Sequence, residues 1–309
     1  MAVAFALALP SILYPLSPIP YPLSPALMTL REALTEATAQ IPRREADTLL
    51  AHVLFRDRAW LIAHSEDELS STIVSAFRAL VARRAAKEPI QYLIGSHEFY
   101  GLNLRVTPDT LIPRPETELL VEAVLHWLAS RHLRTPRILD VGTGTGAIAV
   151  ALATHLPDAL ITATDLYPAA LSIAEHNAGR LSLGHRIIFL QSDLLNAPQF
   201  KTAHPFDVIV SNPPYVSLYE AATMPEEVLQ HEPHTALFAG PSGLDIYRRL
   251  IPAAHKALAP QGLLALEFGF GQLDDLRNLF NKPSNGPWQT VRFQNDYAQI
   301  PRIALATHP

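Results

Sequence analysis

The chain has 309 residues, which at roughly 100–200 residues per domain predicts two domains, and its apolar content of 49% is enough for a sizeable core. Its formal net charge of −5 excludes a global basic field that would hold nucleic acid, although a local basic patch remains open. The absence of cysteine excludes disulfides, thiolate nucleophiles and cysteine-based metal sites, and the 13 histidines show no His-Glu-x-x-His or similar spacing, so we expect no metal.

Residues 1–27 carry no charged side chain and are rich in proline, and the pentapeptide Tyr-Pro-Leu-Ser-Pro occurs in them twice. A signal peptide needs a positive n-region and an uninterrupted apolar run, but this segment has no Lys or Arg and is broken at Pro10. It is also too short and too broken to span a membrane, so we expect no membrane association. Met28 follows at once, with Thr29 and Glu32 forming a capping-box pair that is typical of a helix start. We therefore predict a disordered, dispensable extension in front of a natural start.

Residues 28–88 are predicted to form a small helical domain. Apolar residues recur in them at helical spacing, first after Pro42 and again in a segment that ends before Pro89. Arg83 and Arg84 lie near the C-terminus of the second segment, where cations suit the helix dipole, and we interpret them as a solvated helix end. No catalytic chemistry is visible in this domain.

Residues 89–110 are predicted to be a hairpin linker, because two short extended segments flank Tyr100-Gly101. The next helix is predicted to begin at Pro115, a favourable first-turn residue, and to run to about His132. Two glutamates in its first turn are interpreted as charges that suit the helix N-terminus.

From Arg137 the chain alternates strands with helices, which predicts a parallel sheet covered on both faces. The predicted strands are 138–141, 160–164, 187–190, 208–210, 263–266, 291–293 and 303–306. The predicted helices are 147–156, 169–179, 242–258 and 272–281. We expect the last two strands to form an antiparallel pair, and the fold class to be α/β.

Phe206–Val216 joins a buried strand to a stiff corner. Val208–Val210 is a short apolar run, and Asn212-Pro213-Pro214-Tyr215 follows it. Two consecutive prolines have no backbone N–H and hold φ at about −65°, so neither a helix nor a ladder continues through them. The corner leaves carbonyl groups without local donors at the carboxyl end of a strand, which is where open α/β sheets bind ligands. A rigid turn would be the interpretation if the tetrapeptide stood alone.

Asp140 to Ala147 (Asp-Val-Gly-Thr-Gly-Thr-Gly-Ala) joins the first strand of the sheet to its helix. Glycines here allow a positive φ and let a ligand approach the backbone at a helix N-terminus. The loop also fits the relaxed dinucleotide fingerprint, so NAD stays open, and Asp165 suits the ribose hydroxyls of either cofactor. Two carboxylates favour S-adenosylmethionine: Asp140 suits a cationic amino-acid moiety better than a pyrophosphate, and Asp193 is able to accept from an adenine amino group.

These segments resemble the Rossmann-type S-adenosylmethionine-dependent methyltransferases that modify planar or amide nitrogens. Further segments narrow the resemblance to the release-factor glutamine methyltransferases, the PrmC/HemK family. They are Ile112 to Glu118 (Ile-Pro-Arg-Pro-Glu-Thr-Glu), Gln91 to Gly95, and Glu232-Pro233 with Gly243-Leu244-Asp245. The similarity runs from about Met28 to the C-terminus. Two departures affect local loops: Ala239 stands where the family usually has glycine, and Gln299-Ile300-Pro301 replaces a more polar, glycine-bearing turn.

The resemblance implies a Rossmann-like class I methyltransferase domain over 111–309, with S-adenosylmethionine as cofactor. It also implies that the helical domain recognises the substrate, which is the glutamine of the Gly-Gly-Gln loop of peptide chain release factors, methylated on its side-chain nitrogen N5. The implied cofactor-binding residues are Asp140, Gly142, Thr143, Gly144, Thr145, Gly146, Asp165, Asp193, Leu194 and Asn212. The implied catalytic residues are Asn212, Pro213 and Tyr215, and Pro214 joins them in binding the substrate.

The chemistry of a primary amide suggests a role for each of the implied catalytic residues. An amide nitrogen is a poor nucleophile because its lone pair is delocalised into the carbonyl group. The Asn212 side-chain oxygen and the Pro213 carbonyl are each able to accept one amide N–H and so to orient the nitrogen. Tyr215 is expected to pack against the flat amide.

Three alternatives stay open. A glutamine methyltransferase of a ribosomal protein is disfavoured because that family has Pro-Arg-Ser-Pro in place of the motif at Pro113. A DNA adenine methyltransferase is disfavoured by the acidic balance and by the lack of an evident target-recognition domain. A nucleotide-binding adaptor would not need paired carbonyl acceptors beside its glycine loop. We expect a cytoplasmic monomer that binds protein and not nucleic acid directly.

Overall fold

The computed structural model describes residues 28–131, 133–201 and 205–309. The predicted extension, residues 1–27, lies outside the described residues. Within these three ranges, no helix is both long and apolar enough to cross a membrane.

The N-terminal part of the described chain is a helical unit with its own core. Its elements are β1 (Met28–Thr29), α1 (Leu30–Thr38), α2 (Arg43–Leu54), α3 (Arg58–Ala63), β2 (Glu68–Leu69), α4 (Ser71–Ala85) and α5 (Ile90–Ile94). The expected capping box is present, because the Glu32 N–H donates to the Thr29 hydroxyl at 3.2 Å and the Thr29 N–H donates to the Glu32 carboxylate at 2.8 Å. Leu49 and Phe77 are buried at the centre of this unit.

The structure corrects two expectations in this region. The predicted hairpin linker, 89–110, begins with the short helix Ile90–Ile94, because a helical turn buries Leu93 in the core of the helical unit before Gly95 ends it. Arg84 is not a solvated helix end: its guanidinium is only 13% exposed and contacts Glu45 of α2. The hairpin itself is present, as β3 (Ser96–Phe99) and β4 (Leu102–Arg105).

The rest of the chain builds one seven-stranded sheet with helices on both faces. Its helices are α6 (Pro115–Ala129), α7 (Ala147–His155), α8 (Pro168–Arg180), α9 (Glu226–His231), α10 (His234–Leu237), α11 (Asp245–Ala257) and α12 (Leu273–Phe280). Its strands are β5 (Arg137–Val141), β6 (Leu160–Asp165), β7 (Ile187–Gln191), β8 (Phe206–Ser211), β9 (Leu258–Glu267), β10 (Thr290–Asn295) and β11 (Pro301–Thr307). Short 3₁₀ turns occur at Pro198–Lys201, Leu218–Thr223 and Pro283–Asn285.

The strand order is β10-β11-β9-β8-β5-β6-β7, and β11 is the one strand of this sheet that runs opposite to the other six. The chain adds β6 and β7 on one side of β5 and then returns to add β8 and β9 on the other. The order of strands therefore reverses between β5 and β8, and in open α/β sheets the crevice at such a point binds ligands. The predicted antiparallel pair at the end of the chain is confirmed.

Alternating side chains of the central strands enter two separate cores. Ile138 and Val208 pack on the face that α6 and α7 cover, whereas Leu139 and Ile209 pack on the face that α11 covers. The continuous apolar runs of the sequence are explained by this burial on both sides. The predicted α/β class is thereby confirmed.

Candidate active site

A cavity of about 350 Å³ opens at the carboxyl edge of the sheet, where the strand order reverses. Residues that follow four different strands line it. They include Gly142, Thr143, Gly144 and Thr145 after β5, Asp165 at the end of β6, Asp193 and Leu194 after β7, and Asn212, Pro213 and Pro214 after β8. Of the residues predicted from the sequence, Asp140, Gly146 and Tyr215 are not part of its lining.

The glycine loop presents its backbone to the cavity. Gly144 has φ of +55°, and a Cβ built on it would meet no atom within 4 Å, so the position is open to an approaching ligand. Gly146 differs, because with φ of +80° a Cβ there would lie 3.0 Å from the Ala174 side chain. Gly146 therefore lets α8 pack closely against the loop, and it is not part of the cavity lining.

Asp140 lies behind the loop and is not part of the cavity lining. The side chain is fully buried; its Oδ2 accepts from the Thr143 hydroxyl at 2.7 Å and from the Ala149 N–H at 3.2 Å. Burial raises its pKa to about 7. These bonds stabilise the loop and the start of α7, whereas Oδ1 is buried without a hydrogen-bond partner among the described residues, so the expected role of Asp140 toward a cationic group stays a prediction.

Asp165 occupies the position expected for a residue that binds ribose. Its Oδ2 accepts from the Gly144 N–H at 2.9 Å and its Oδ1 accepts from the Tyr167 N–H at 3.0 Å. Burial raises the pKa of this carboxyl. Each oxygen keeps a further lone pair for a hydroxyl donor in the cavity, so the residue suits a vicinal diol.

Asp193 forms an ion pair with Arg249 of α11, and both residues line the cavity. The pairing occupies Oδ2 of the carboxylate and leaves Oδ1 for another donor. Leu194 follows with φ of +53°, which turns the chain over the edge of the cavity. The sequence did not indicate Arg249, because it lies on a helix far along the chain.

Asn212 is held at the opposite side of the cavity by two buried side chains. Its Nδ2 donates to the Thr117 hydroxyl at 3.0 Å, and that hydroxyl donates to Glu267 Oε2 at 2.7 Å. Thr117 and Glu267 are both buried, and burial raises the Glu267 pKa to about 7. The amine of Asn212 is therefore committed to the protein, and its oxygen is left for a ligand. No donor among the described residues reaches the neighbouring Pro213 carbonyl oxygen.

Tyr215 is not part of the cavity lining, and its expected packing on a substrate amide stays a prediction. Its ring lies against the backbone of Gly269, where an added Cβ would come within 2.9 Å of Tyr215 Cδ2. Gln272 donates to the Tyr215 carbonyl at 2.9 Å and accepts from the Gly269 N–H at 2.9 Å. Burial raises the pKa of the phenol, and the residue acts as an anchor of the corner.

Two of the segments that carried the family resemblance contact each other. Arg114 donates to Glu232 Oε1 at 2.6 Å, and the Ile112 N–H donates to Glu232 Oε2 at 3.3 Å. Glu118 accepts from the Tyr100 N–H at 2.7 Å and so fastens the hairpin to α6. These contacts place Pro113 and Thr117 in the cavity wall.

Sequence reasoning missed Thr117 and Glu267. Thr117 lies between two glutamates that were interpreted only as helix-start charges. Glu267 ends the apolar run of β9, beside the strand that carries Asn212, and the rule that sites lie at carboxyl ends of parallel strands was a sufficient signal.

The sheet order, the reversed strand β11 and the glycine loop after β5 define the class I methyltransferases. The PrmC N-terminal domain family matches residues 25–95, and the methyltransferase small domain family matches residues 116–240. The hMettl16 catalytic domain, solved with a MAT2A 3'UTR hairpin, aligns with TM-score 0.54 and 20% identity over 74% of this chain and 80% of its own, which shows the shared fold.

Curated relatives match nearly the whole chain. The release factor glutamine methyltransferase of Bordetella pertussis is 44% identical over 277 residues, covering 90% of this chain and 98% of the relative. That of Escherichia coli is 40% identical over 280 residues, covering 90% and 97%. The chain belongs to the release factor glutamine methyltransferase family, and the resemblance inferred from its motifs is confirmed.

Proposed function

We propose that this enzyme methylates the side-chain nitrogen of the glutamine in the Gly-Gly-Gln loop of peptide chain release factors, with S-adenosylmethionine as cofactor. The observation that carries the proposal is the orientation of Asn212. Its amine is bound by Thr117, so its oxygen is available as an acceptor beside the free Pro213 carbonyl. Two acceptors side by side match the two N–H groups of a primary amide.

The cofactor side of the cavity fits S-adenosylmethionine by its donor and acceptor chemistry. Gly142 and Gly144 open their backbone to the cavity, Asp165 offers acceptors for ribose hydroxyls, and Asp193 offers one for an adenine amino group. S-adenosylmethionine, when bound, supplies an electrophilic methyl group. Asn212, which is also an expected cofactor contact, lines the same cavity.

The substrate side compensates for a weak nucleophile. Acceptors at Asn212 and Pro213 fix the amide nitrogen in one orientation, which removes several kcal/mol of the barrier in the general case of oriented reactants. The nitrogen would become positive as its bond to the methyl carbon forms and the bond from that carbon to the cofactor sulfur breaks, which leaves the sulfur as a neutral thioether. The protons on nitrogen would then bind the same acceptors more strongly than in the ground state. One of these protons leaves to water, which restores a neutral, N-methylated amide.

The helical unit is proposed to recognise the body of the release factor. It contains no residue of the cavity lining, yet Arg84 joins it to the neighbourhood of the active site by pairing with Glu227 of α9 at 2.7 Å. A surface held in this way is able to position a protein substrate relative to the cavity. We infer action as a monomer in the cytoplasm, where release factors meet ribosomes, and no direct contact with nucleic acid.

Incubation with labelled S-adenosylmethionine tests the proposal. We expect label on purified release factor, and none on a release factor in which the glutamine of Gly-Gly-Gln is replaced by alanine. Parallel reactions contain large-subunit ribosomal proteins or adenine-containing duplex DNA. Labelling of either of these in place of release factor would reject the proposed substrate.

A further inference from the structure

Three side chains from distant parts of the chain form one buried hydrogen-bonded series behind the substrate side of the cavity. Glu267 ends β9, Thr117 lies in the first turn of α6, and Asn212 follows β8. The O···O distance between Glu267 and Thr117 is 2.7 Å, and the O···N distance between Thr117 and Asn212 is 3.0 Å. Glu267 is 2% exposed and Thr117 is 4% exposed, so water does not compete for either partner.

The chemistry of a hydroxyl group gives this series a direction. A threonine hydroxyl has one hydrogen, and an ionised carboxylate is able only to accept. With its hydrogen committed to Glu267, Thr117 is able only to accept from Asn212. The Asn212 amide must therefore present its amine to Thr117, which leaves its oxygen toward the cavity.

We propose that Glu267 and Thr117 are positioning residues that fix the Asn212 amide with its oxygen, and not its amine, toward the substrate nitrogen. The inference rests on the proposed function for its role in methyl transfer. It adds that the acceptor identity of Asn212 is imposed by a carboxylate that is not part of the cavity lining. If the Asn212 side-chain amide were rotated by 180°, its amine would face the substrate. The N–H groups of Asn212 would then point at the N–H groups of the substrate glutamine and would repel them.

Several ionisable groups surround the Glu267 carboxylate. Burial and then Glu116 of α6 favour its protonated form, whereas the Thr117 hydroxyl, Arg302 of β11 and the Asn212 side chain favour its ionised form. Tyr215 and Tyr247 are also near; the Tyr247 hydroxyl donates to the Glu267 backbone carbonyl at 2.7 Å. The resulting pKa of about 7 means that Glu267 changes its ionisation state near neutral pH.

Protonation of Glu267 removes the constraint on direction. A carboxylic acid is able to donate to Thr117, whose hydrogen is then free to point at Asn212 and to select the opposite amide orientation. We therefore expect kcat to fall as the pH drops through the Glu267 pKa, with little change in cofactor affinity. The raised folded-state pKa makes this loss occur near pH 7 instead of near the ordinary value for glutamate, which is about 4.3.

The test compares pH profiles of kcat for release-factor methylation in the native enzyme and three variants. Thr117→Ser keeps the hydroxyl and should, relative to Thr117→Val, restore the rate and the fall of kcat at low pH (the acid limb). Glu267→Gln offers Thr117 both a donor and an acceptor. The rate of this variant should fall about threefold to tenfold, as expected for one weakened hydrogen bond. Its kcat should no longer fall at low pH, because the carboxyl group that titrates is gone. Thr117→Val should lose about tenfold or more in kcat with the cofactor dissociation constant unchanged.

A second readout needs no turnover. The side-chain amide resonances of Asn212 in nitrogen-labelled protein should shift with pH in the native enzyme and in Thr117→Ser, and should not do so in Glu267→Gln. Melting curves identify any variant that fails to fold. Any of three results would overturn the inference. They are native turnover in Thr117→Val, an unchanged fall of kcat at low pH in Glu267→Gln, and Asn212 resonances of the native enzyme that do not shift with pH. If the native enzyme methylates no release factor, the proposed function fails, while the resonance titration still decides this inference.

Discussion

The two halves of the cavity are built in different ways. The cofactor half is mostly backbone: the loop around Gly144 and the N–H groups that hold Asp165 come from short segments that follow adjacent strands. The substrate half is mostly side chain, since Asn212 depends on Thr117, 95 residues away, and Thr117 depends on Glu267, 150 residues away. Local sequence thus encodes the first half, whereas the second exists only after the sheet has assembled.

The largest effect should come from the substrate half. Asn212→Ala removes the acceptor whose hydrogen bond strengthens as charge develops, and loss of one such group typically costs about 10²–10³ in rate. Single-turnover methylation of release factor measures the chemical step, and calorimetric titration of S-adenosylmethionine measures binding. Cofactor affinity should stay close to native.

Asn212→Asp is the matched probe for the same position. It keeps an acceptor of equal size but loses the amine that donates to Thr117, so we expect impaired turnover through lost orientation. A native rate for Asn212→Ala, together with native cofactor affinity, would mean that this residue is only part of a turn.

Substitutions in the cofactor half should change the affinity for S-adenosylmethionine. Asp165→Ala removes a charged acceptor, and hydrogen bonds to charged groups contribute roughly 1.5–3 kcal/mol each, so the dissociation constant of S-adenosylmethionine should rise about tenfold to a hundredfold. Calorimetric titration measures this change. Unaltered affinity in a folded variant would place the ribose elsewhere.

A smaller effect should separate packing from binding within the glycine loop. Gly146→Ala places a Cβ 3.0 Å from Ala174 at φ of +80°, and a non-glycine residue in such a conformation costs about 1–3 kcal/mol. Denaturant unfolding measures the loss of stability. Gly179→Ala is the control, because this helical glycine has open space around it, and we expect a neutral or slightly stabilising change there. Equal effects at both positions would contradict the packing role.

The smallest effect should come from residues 1–27, which the sequence predicts to be dispensable. A protein that begins at Met28 should melt within a few degrees of the full chain and bind both substrates equally well. Comparison of thermal melts and of methylation rates measures this. A marked fall in either quantity would show that the segment contributes to the fold or to the site.

Prediction from the sequence succeeded where the signal was local. Apolar runs, glycine loops and prolines located the strands, the long helices and the corner at Asn212 to within a few residues. Prediction from the sequence failed where tertiary packing determines the local structure. The short helices Glu226–His231 and His234–Leu237 lack a periodic apolar pattern of useful length, and they escaped notice.

Side-chain direction is decided by tertiary packing and was not predictable from the motifs. Asp140 opens the glycine loop, and strand alternation places it with Ile138 on the face that α7 covers. Tyr215 ends the Asn-Pro-Pro-Tyr motif, and its ring packs against Gly269. Neither residue lines the cavity, and their expected contacts with cofactor and substrate stay predictions.

The contact of Arg84 with Glu45 and Glu227 has a consequence for behaviour in salt. Because the arginine side chain is only 13% exposed, mobile ions have little access to these pairs, and they are screened far less than a pair at the surface. The exposed pair of Arg78 with Glu36, within the helical unit, lacks this shelter. The attachment of the helical unit to α9 should therefore persist at ionic strengths that abolish the charge interactions of its outer surface.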